Sequence, residues 1–339
     1  MKTILFCGHL SRFGEAFLMN ALGSPSLQID TIILANVELC IAFTAKLKRI
    51  QQLPNEAEFR RNYLSKTKSI VQALKIKAPR SKVIFVEDAN SEWVRVYIKP
   101  YRAVLTAAFP QIFSTAFLAA TPNGAVNFHP SYLPRCRGAH PVYWTIASRE
   151  EFGGVSSHFM TEKVDQGPLI AREKILFEKY SITYDALYEM ALIILPKVIE
   201  ETIVFLKEDT PKVSIEEALQ PTHFRENQSS DHQINWDLDD MTVISAKIRA
   251  GNAFCLLSET GQQLYLYPPV TFQRYNLKVK NYSLIKEQSR DFILIESKSG
   301  LLYTRFRLEH RFSHNLVFRL LKKVLPRLFF EKLKGRTLC

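Results

Sequence analysis

The chain has 339 residues, 47% hydrophobic and 23% charged, a balance that excludes a disordered or fibrous protein and allows one large core beside a smaller one. Its net charge of +12 points to anionic partners, and no apolar run reaches membrane-crossing length. The five cysteines (Cys7, Cys40, Cys136, Cys255, Cys339) show neither a CxxC pair nor an even framework, so reduced thiols, no bound metal and a cytoplasmic location are expected.

MKTILFCGHL is too short in apolar residues for a signal peptide. Instead Thr3 to Cys7 reads as a first strand, and Phe13, Phe17 and Met19 to Leu22 read as the helix after it. Gly8 to Ser11 is the turn between them. Ligands of such sheets sit at the carboxyl ends of strands, so Gly8, His9 and Ser11 are candidates to meet an acceptor's phosphate or sugar, although no glycine-rich fingerprint is present. His9 reads equally as a plain turn residue. Ile29 to Ala35 is the second strand. From Lys46 to Lys82 eleven Lys or Arg face only Glu56 and Glu58, in a helical stretch broken at Pro54 and Pro79. That face contacts an anionic substrate or is simply solvated.

Lys82 to Val86 and Ala103 to Ala108 are further strands, the second running into Phe109-Pro110-Gln111-Ile112-Phe113. Next comes GAVNFHPSYLPRCRGAHP. Val126 and Phe128 close a buried strand, and period-2 alternation turns Asn127 and His129 to one face. Pro130 cannot donate to a ladder, so the strand ends there and Ser131 to Gly138 loops over that face. Asp165 follows a strand-like run, Val155 to Met160, in an Asp-Gln-Gly-Pro turn. An imidazole, a carboxylate and a carboxamide in one crevice suit acyl transfer without a protein nucleophile. Ser131 lies beside His129 but sits in no nucleophile elbow. The plainer reading makes His129 a satisfied core histidine and Asn127 a turn former.

Pro141 to Ala147 is a short helix, Ile170 to Phe177 an outer strand and Thr183 to Leu206 an amphipathic helix closing the domain. The polar stretch 209–233 reads as a linker. Asp239 or Asp240 then caps a helix to Ala250, and short strands at Gln263 to Tyr267, Tyr282 to Lys286, Phe292 to Glu296 and Leu301 to Leu308 suggest a small barrel. His310 to Cys339 carries eight Lys or Arg against Glu331 alone, with apolar residues interleaved, and is expected to dock on the body, with RNA or an anionic membrane surface as other destinations. His310 and His314 have a metal-like spacing but no third ligand.

Asn127-x-His129-Pro130-Ser131-x-Leu133-Pro134, then Arg137-Gly138, then Asp165-x-Gly167 resembles the signature of the folate-dependent formyltransferases. Trp236 and Ile248-Arg249-Ala250 resemble the start of the carboxyl-terminal domain in its transfer-RNA and sugar-nucleotide branches. The resemblance implies an α/β, doubly wound Rossmann-like domain over 1–208, a linker over 209–233, an OB-like β-barrel over 234–309 and a basic tail over 310–339. It further implies 10-formyltetrahydrofolate as co-substrate, with the pteridine against Ala108, Phe109, Gln111, Ile112, Val164 and Gly167. Asn127, His129 and Asp165 become the catalytic trio, Ser131 and Arg137 substrate contacts, and no metal is required. A small-molecule amine, nucleotide-linked or otherwise specialised, is the expected acceptor, since Pro130 stands where the transfer-RNA branch has Gly and that branch's Gly-Arg-Gly-Lys loop is missing. Methionyl-tRNA, with tRNA as partner, is the alternative; a formate-releasing hydrolase and an idle folate- or RNA-binding module stand behind it.

Overall fold

Short buried strands and amphipathic helices alternate in this chain as the periodicities require. A computed structural model describes residues 1–47, 55–208, 219–256, 263–274, 283–288, 292–297, 300–308 and 337–338. Two compact units emerge: Met1–Val142 with Phe152–Leu176 and Leu187–Asn227, and Tyr143–Glu151 with Phe177–Ala186 and Gln228–Cys339.

The first unit runs β1 (Thr3–Cys7), α1 (Arg12–Gly23), β2 (Ile29–Ala35), α2 (Val37–Leu47), α3 (Glu56–Lys77), β3 (Lys82–Val86), α4 (Glu92–Ile98), β4 (Ala103–Ala107), α5 (Thr115–Ala119) and β5 (Ala125–His129). Along the chain then follow the two-residue β6 (Arg137–Gly138), α6 (Pro141–Ala147, mostly in the second unit), β7 (Phe152–Phe159), β8 (Leu169–Leu176), α7 (Tyr184–Lys207, of the first unit from Leu187 on) and β9 (His223–Phe224). One seven-stranded sheet has the order β3-β2-β1-β4-β5-β7-β8. Strands β1 to β5 pair in parallel, whereas β7 runs antiparallel to both β5 and β8. The chain leaves β1 in opposite directions along the sheet, so the carboxyl ends of β1 and β4 border the crevice where such folds bind ligands.

All five residues of β1 and all five of β4 are buried, as parallel strands covered on both faces demand. Phe6 stands edge-on to Phe109, Phe113 and Phe117 at ring distances of 5.6, 5.4 and 5.3 Å. Buried aromatics of this kind contribute about 2–3 kcal/mol each by area alone. Helix α7 buries Leu187, Ala191, Leu195, Val198, Ile199 and Ile203. Its Thr202 hydroxyl meets that of Ser157 on β7 at 2.6 Å, so the polar groups of this buried contact satisfy each other.

The basic stretch is helical between its two proline breaks, as expected. Asn55 caps α3 by accepting from Glu58 N at 2.9 Å, and the helix ends at Lys77, two residues before Pro79. Helices α2, α4 and α5 were not legible in the sequence. The stretch read as a linker contains β9, paired in parallel with β6, and α8 (Ser229–His232); residues 209–218 lie outside the described ones.

In the second unit α9 (Met241–Ala250) is capped by Asp240, whose carboxylate accepts from Thr242 N at 2.7 Å and Val243 N at 3.0 Å. Strands β10 (Phe254–Leu256), β11 (Gln263–Arg274), β12 (Ser283–Gln288), β13 (Phe292–Ser297), β14 (Gly300–Leu308) and β15 (Thr337–Leu338) form an antiparallel sheet of order β10-β11-β14-β13-β12-β15. Ile234, Trp236, Ile244, Ile248, Leu264 and Ile293 share its core. The basic tail through residue 336, with His310 and His314, lies outside the described residues. Among the described residues no helix is long and apolar enough to cross a membrane.

Candidate active site

Strand β5 presents Asn127 and His129 two residues apart, and its antiparallel neighbour β7 sets His158 directly opposite Asn127. Asp165 reaches the same place from the turn between β7 and β8. The turn is tight: a Cβ added at Gly167 would lie 1.8 Å from the Phe159 carbonyl oxygen, so only glycine lets the two segments close. Asp165 itself has φ +54°, a left-handed conformation that aspartate tolerates better than most residues.

The carboxylate of Asp165 is the hub. Its Oδ2 accepts from Gly138 N at 2.9 Å and stands 3.6 Å from His129 Nδ1; its Oδ1 lies 3.3 Å from His158 Nε2 and accepts from Asn127 Nδ2 at 3.4 Å. His129, His158 and Asp165 are 5%, 2% and 8% exposed, so these interactions act with little screening by water. Burial works against ionisation of Asp165, but the neighbouring His129 and His158, helped by the Gly138 N–H, hold its carboxyl well below the usual carboxylate range. It is a carboxylate at any pH near neutrality.

His129 faces acceptors with both ring nitrogens, because its Nε2 donates to the Cys136 carbonyl at 2.9 Å. Cys136 reaches that position with φ +53°, and its N–H donates to Thr222 Oγ1 at 2.8 Å. His158 Nδ1 donates to the Phe159 carbonyl at 2.9 Å, which leaves Nε2 to meet Asp165 and, at 3.3 Å, Asn127 Nδ2. Both amide hydrogens of Asn127 thereby have inward acceptors within reach, so one must exchange its partner to serve an oxygen in the crevice. Two imidazoles, an amide and one carboxylate form a charge-compensated cluster able to donate hydrogen bonds and to accept one proton. No group of three His, Cys, Asp or Glu suited to a metal occurs among the described residues.

The other sequence-derived candidates divide by position. Gly138 lends its backbone to the hub, and Arg137, half-buried beside it, has a buried Nε without a partner among the described residues. Ser131 is turned away: its hydroxyl donates to the Arg135 carbonyl at 2.8 Å, and its own carbonyl accepts from Ser156 Oγ at 2.7 Å. Gln111 spends its side chain on the 88–90 turn, accepting from Ala89 N at 2.8 Å and donating to Asp88. Phe109 packs against Phe6 and Phe113 and belongs largely to the core. Ala108, Ile112 and Val164 are exposed, the last two at 74% and 41%. Gly8, His9 and Ser11 border a separate cavity with Ala108. His158 and the Cys136 carbonyl escaped the sequence reading. His158 had one signal, a second polar residue after Ser156 on the same face of an otherwise buried strand.

Residues 46–198 match the family model described as formyl transferase. Methionyl-tRNA formyltransferase of Lactiplantibacillus plantarum is 34% identical over 125 residues, 35% of this chain and 39% of that protein. That of Desulfotalea psychrophila is 27% identical over 207 residues, 60% of this chain and 62% of that protein. The chain therefore spans under two thirds of the length of the curated relatives it matches. Among solved structures, the N-formyltransferase from Helicobacter canadensis in complex with folinic acid and dTDP-3-aminofucose superposes with a TM-score of 0.53 at 14% identity, covering 90% of this chain and 99% of that one. That likeness establishes the shared fold.

Proposed function

We propose, from the match of residues 46–198 to the formyl transferase family model, that the chain moves the formyl group of 10-formyltetrahydrofolate onto a primary amine. The observation that carries the reading is the gathering of Asn127, His129 and Asp165 at the carboxyl end of β5, with Asp165 ionised between two imidazoles. The exposed apolar faces of Ile112 and Val164 suit a flat pteridine, and Ala108 and Gly167 offer backbone beside them. The folate supplies an activated formyl group whose C–N bond breaks as the bond to the acceptor nitrogen forms.

The chain's own residues supply the rest. Asn127 donates an amide hydrogen, exchanged from one of its inward partners, to the formyl oxygen as negative charge builds there. His129 does the same by exchanging the Cys136 carbonyl for that oxygen, one acceptor for another. Asp165 keeps His129 oriented, takes the proton released by the attacking amine and returns it, through water, to the departing folate nitrogen. Holding amine and formyl carbon together is worth several kcal/mol, on the order of 7–11 for ideal alignment. The six-stranded sheet of the second unit is, on the same reading, the wall of a small OB-like barrel.

A small amine, nucleotide-linked or otherwise specialised, is the favoured acceptor; Pro130 and the missing Gly-Arg-Gly-Lys loop support it. Methionyl-tRNA is the second reading, favoured by the curated relatives and by the basic helix α3. Release of tetrahydrofolate, followed by absorbance with a panel of amines beside charged initiator tRNA, tests both. His129→Ala and Asp165→Asn are expected to lower turnover by about 100-fold or more while leaving the fold intact. Wild-type rates in either variant would sink the assignment. Steep loss of activity with added salt would select the tRNA, and indifference to salt the small amine.

A further inference from the structure

A cavity of about 470 Å³ opens at the carboxyl ends of β1 and β4, well within the range of small-molecule sites. Its wall is built mainly by Leu10, Cys40, Phe43, Phe59, Tyr63 and Ala108, with Asn62 and Thr44 as a neutral polar edge. The register places it next to the catalytic strand. Cys7 pairs with Ala107 and Ala107 with Phe128, so Gly8, Ala108 and His129 stand in one row across three neighbouring strand ends. Adjacent strands are about 4.8 Å apart, which sets the cavity wall two strand spacings or less from His129. The backbone is drawn close here: a Cβ on Gly8 would fall 1.7 Å from the Ala108 carbonyl oxygen.

Several donors of the turn from β1 to α1 are already committed. Ser11 N donates to the Gly8 carbonyl at 2.9 Å and Gly8 N to the Ala107 carbonyl at 3.1 Å. Of the first helical N–H groups, Phe13 N donates to Tyr188 Oη at 3.0 Å, and Gly14 N donates to Ser11 Oγ. Glu15 puts a carboxylate in the first turn, where it opposes a bound phosphate, and Lys66, the cation bordering the cavity, is paired with that carboxylate. His9 carries no charge to offer either. Its ring is wholly buried, meets Thr67 Oγ1 at 2.8 Å through Nε2, and burial together with Lys66 pushes its pKa down to about 4.

We propose that this cavity receives an uncharged apolar substituent, alkyl or aryl, of the amine acceptor and excludes phosphate. The turn read in the sequence as a phosphate or sugar contact thus becomes the floor of an apolar subsite. The proposal rests on formyl transfer for the fate of the amine, but the selectivity of the cavity is measurable without turnover.

Ligand-observed NMR on the full chain, saturated with 5-formyltetrahydrofolate, would compare hexylamine and phenethylamine with glucosamine phosphate. The apolar amines are expected to bind at least about tenfold more tightly, a preference that burial of two or more methylenes supplies. Phe43, already 39% exposed, tolerates change: Phe43→Asp is expected to weaken hexylamine binding by about tenfold and Phe43→Leu to preserve it. Equal or tighter binding of the phosphorylated amine, or hexylamine binding indifferent to Phe43→Asp, would overturn the proposal. Failure of the formyl-transfer reading is separate: amines bind as stated, yet none of them releases tetrahydrofolate from 10-formyltetrahydrofolate.

Discussion

Asp165 shows how one side chain organises a site. It occupies a left-handed backbone conformation at a cost of about 1–2 kcal/mol, and in return its two oxygens engage an amide, two imidazoles and a backbone N–H. His158 is the least expected of these partners. Fixed at Nδ1 by the Phe159 carbonyl, it meets both Asp165 and Asn127 through Nε2, and so holds both in place. His158→Phe is expected to lower kcat by about 10- to 100-fold with little change in the KM for folate, and His158→Gln, which keeps one polar group, to recover part of the loss. An unchanged kcat in His158→Phe would leave the residue a purely structural role.

At the scale of elements, the site depends on a β7–β8 turn that can close only without a side chain. Gly167→Ala would drive a methyl group against the Phe159 carbonyl, from a position 1.8 Å away, and push the Asp165 turn off the strand. We expect a loss of about 1–3 kcal/mol, seen as a lower Tm, and a larger fall in turnover, because Asp165 moves with the turn. Full activity with an unchanged Tm would refute this. Such turns explain why elements were legible while their junctions were not. The strands β1, β2, β4 and β5 are runs of apolar residues whose period shows in a few neighbours, and α7 repeats its apolar positions over six turns. Helix α2, in contrast, is apolar nearly all round, and only packing beside Ala35 and Tyr63 settles that Leu39 and Cys40 are its buried face.

For the molecule as a whole, two buried groups tie stability to pH. The carboxyl of Asp165 is depressed in the folded chain, so its contribution is present above the ordinary carboxylate value of 3.8 and falls away as acid protonates it. The imidazole of His9 is depressed from 6.5 to about 4, so the unfolded chain binds more protons between those values; its contribution is full above 6.5 and is lost as the pH falls towards 4. Both act in the same direction but in different ranges: His9 lowers the Tm as the pH falls from 7 to 4 and Asp165 only below the ordinary carboxylate value, so His9→Gln is expected to flatten the fall between 7 and 4, and a wild-type Tm constant down to 4 would contradict it. The sequence by itself determined the placing of Asn127 and His129 on one face of a strand, the Rossmann-like alternation and the signature around Asn127, because these rest on neighbouring residues whose periodicity and chemistry are local. Only the tertiary structure decided that His158 joins Asp165, that Ser131 turns away and that an apolar cavity stands within two strands of β5. Those outcomes depend on the register of Asn127 against His158 and of Cys7 against Ala107, pairings between segments far apart in the chain that no local pattern encodes.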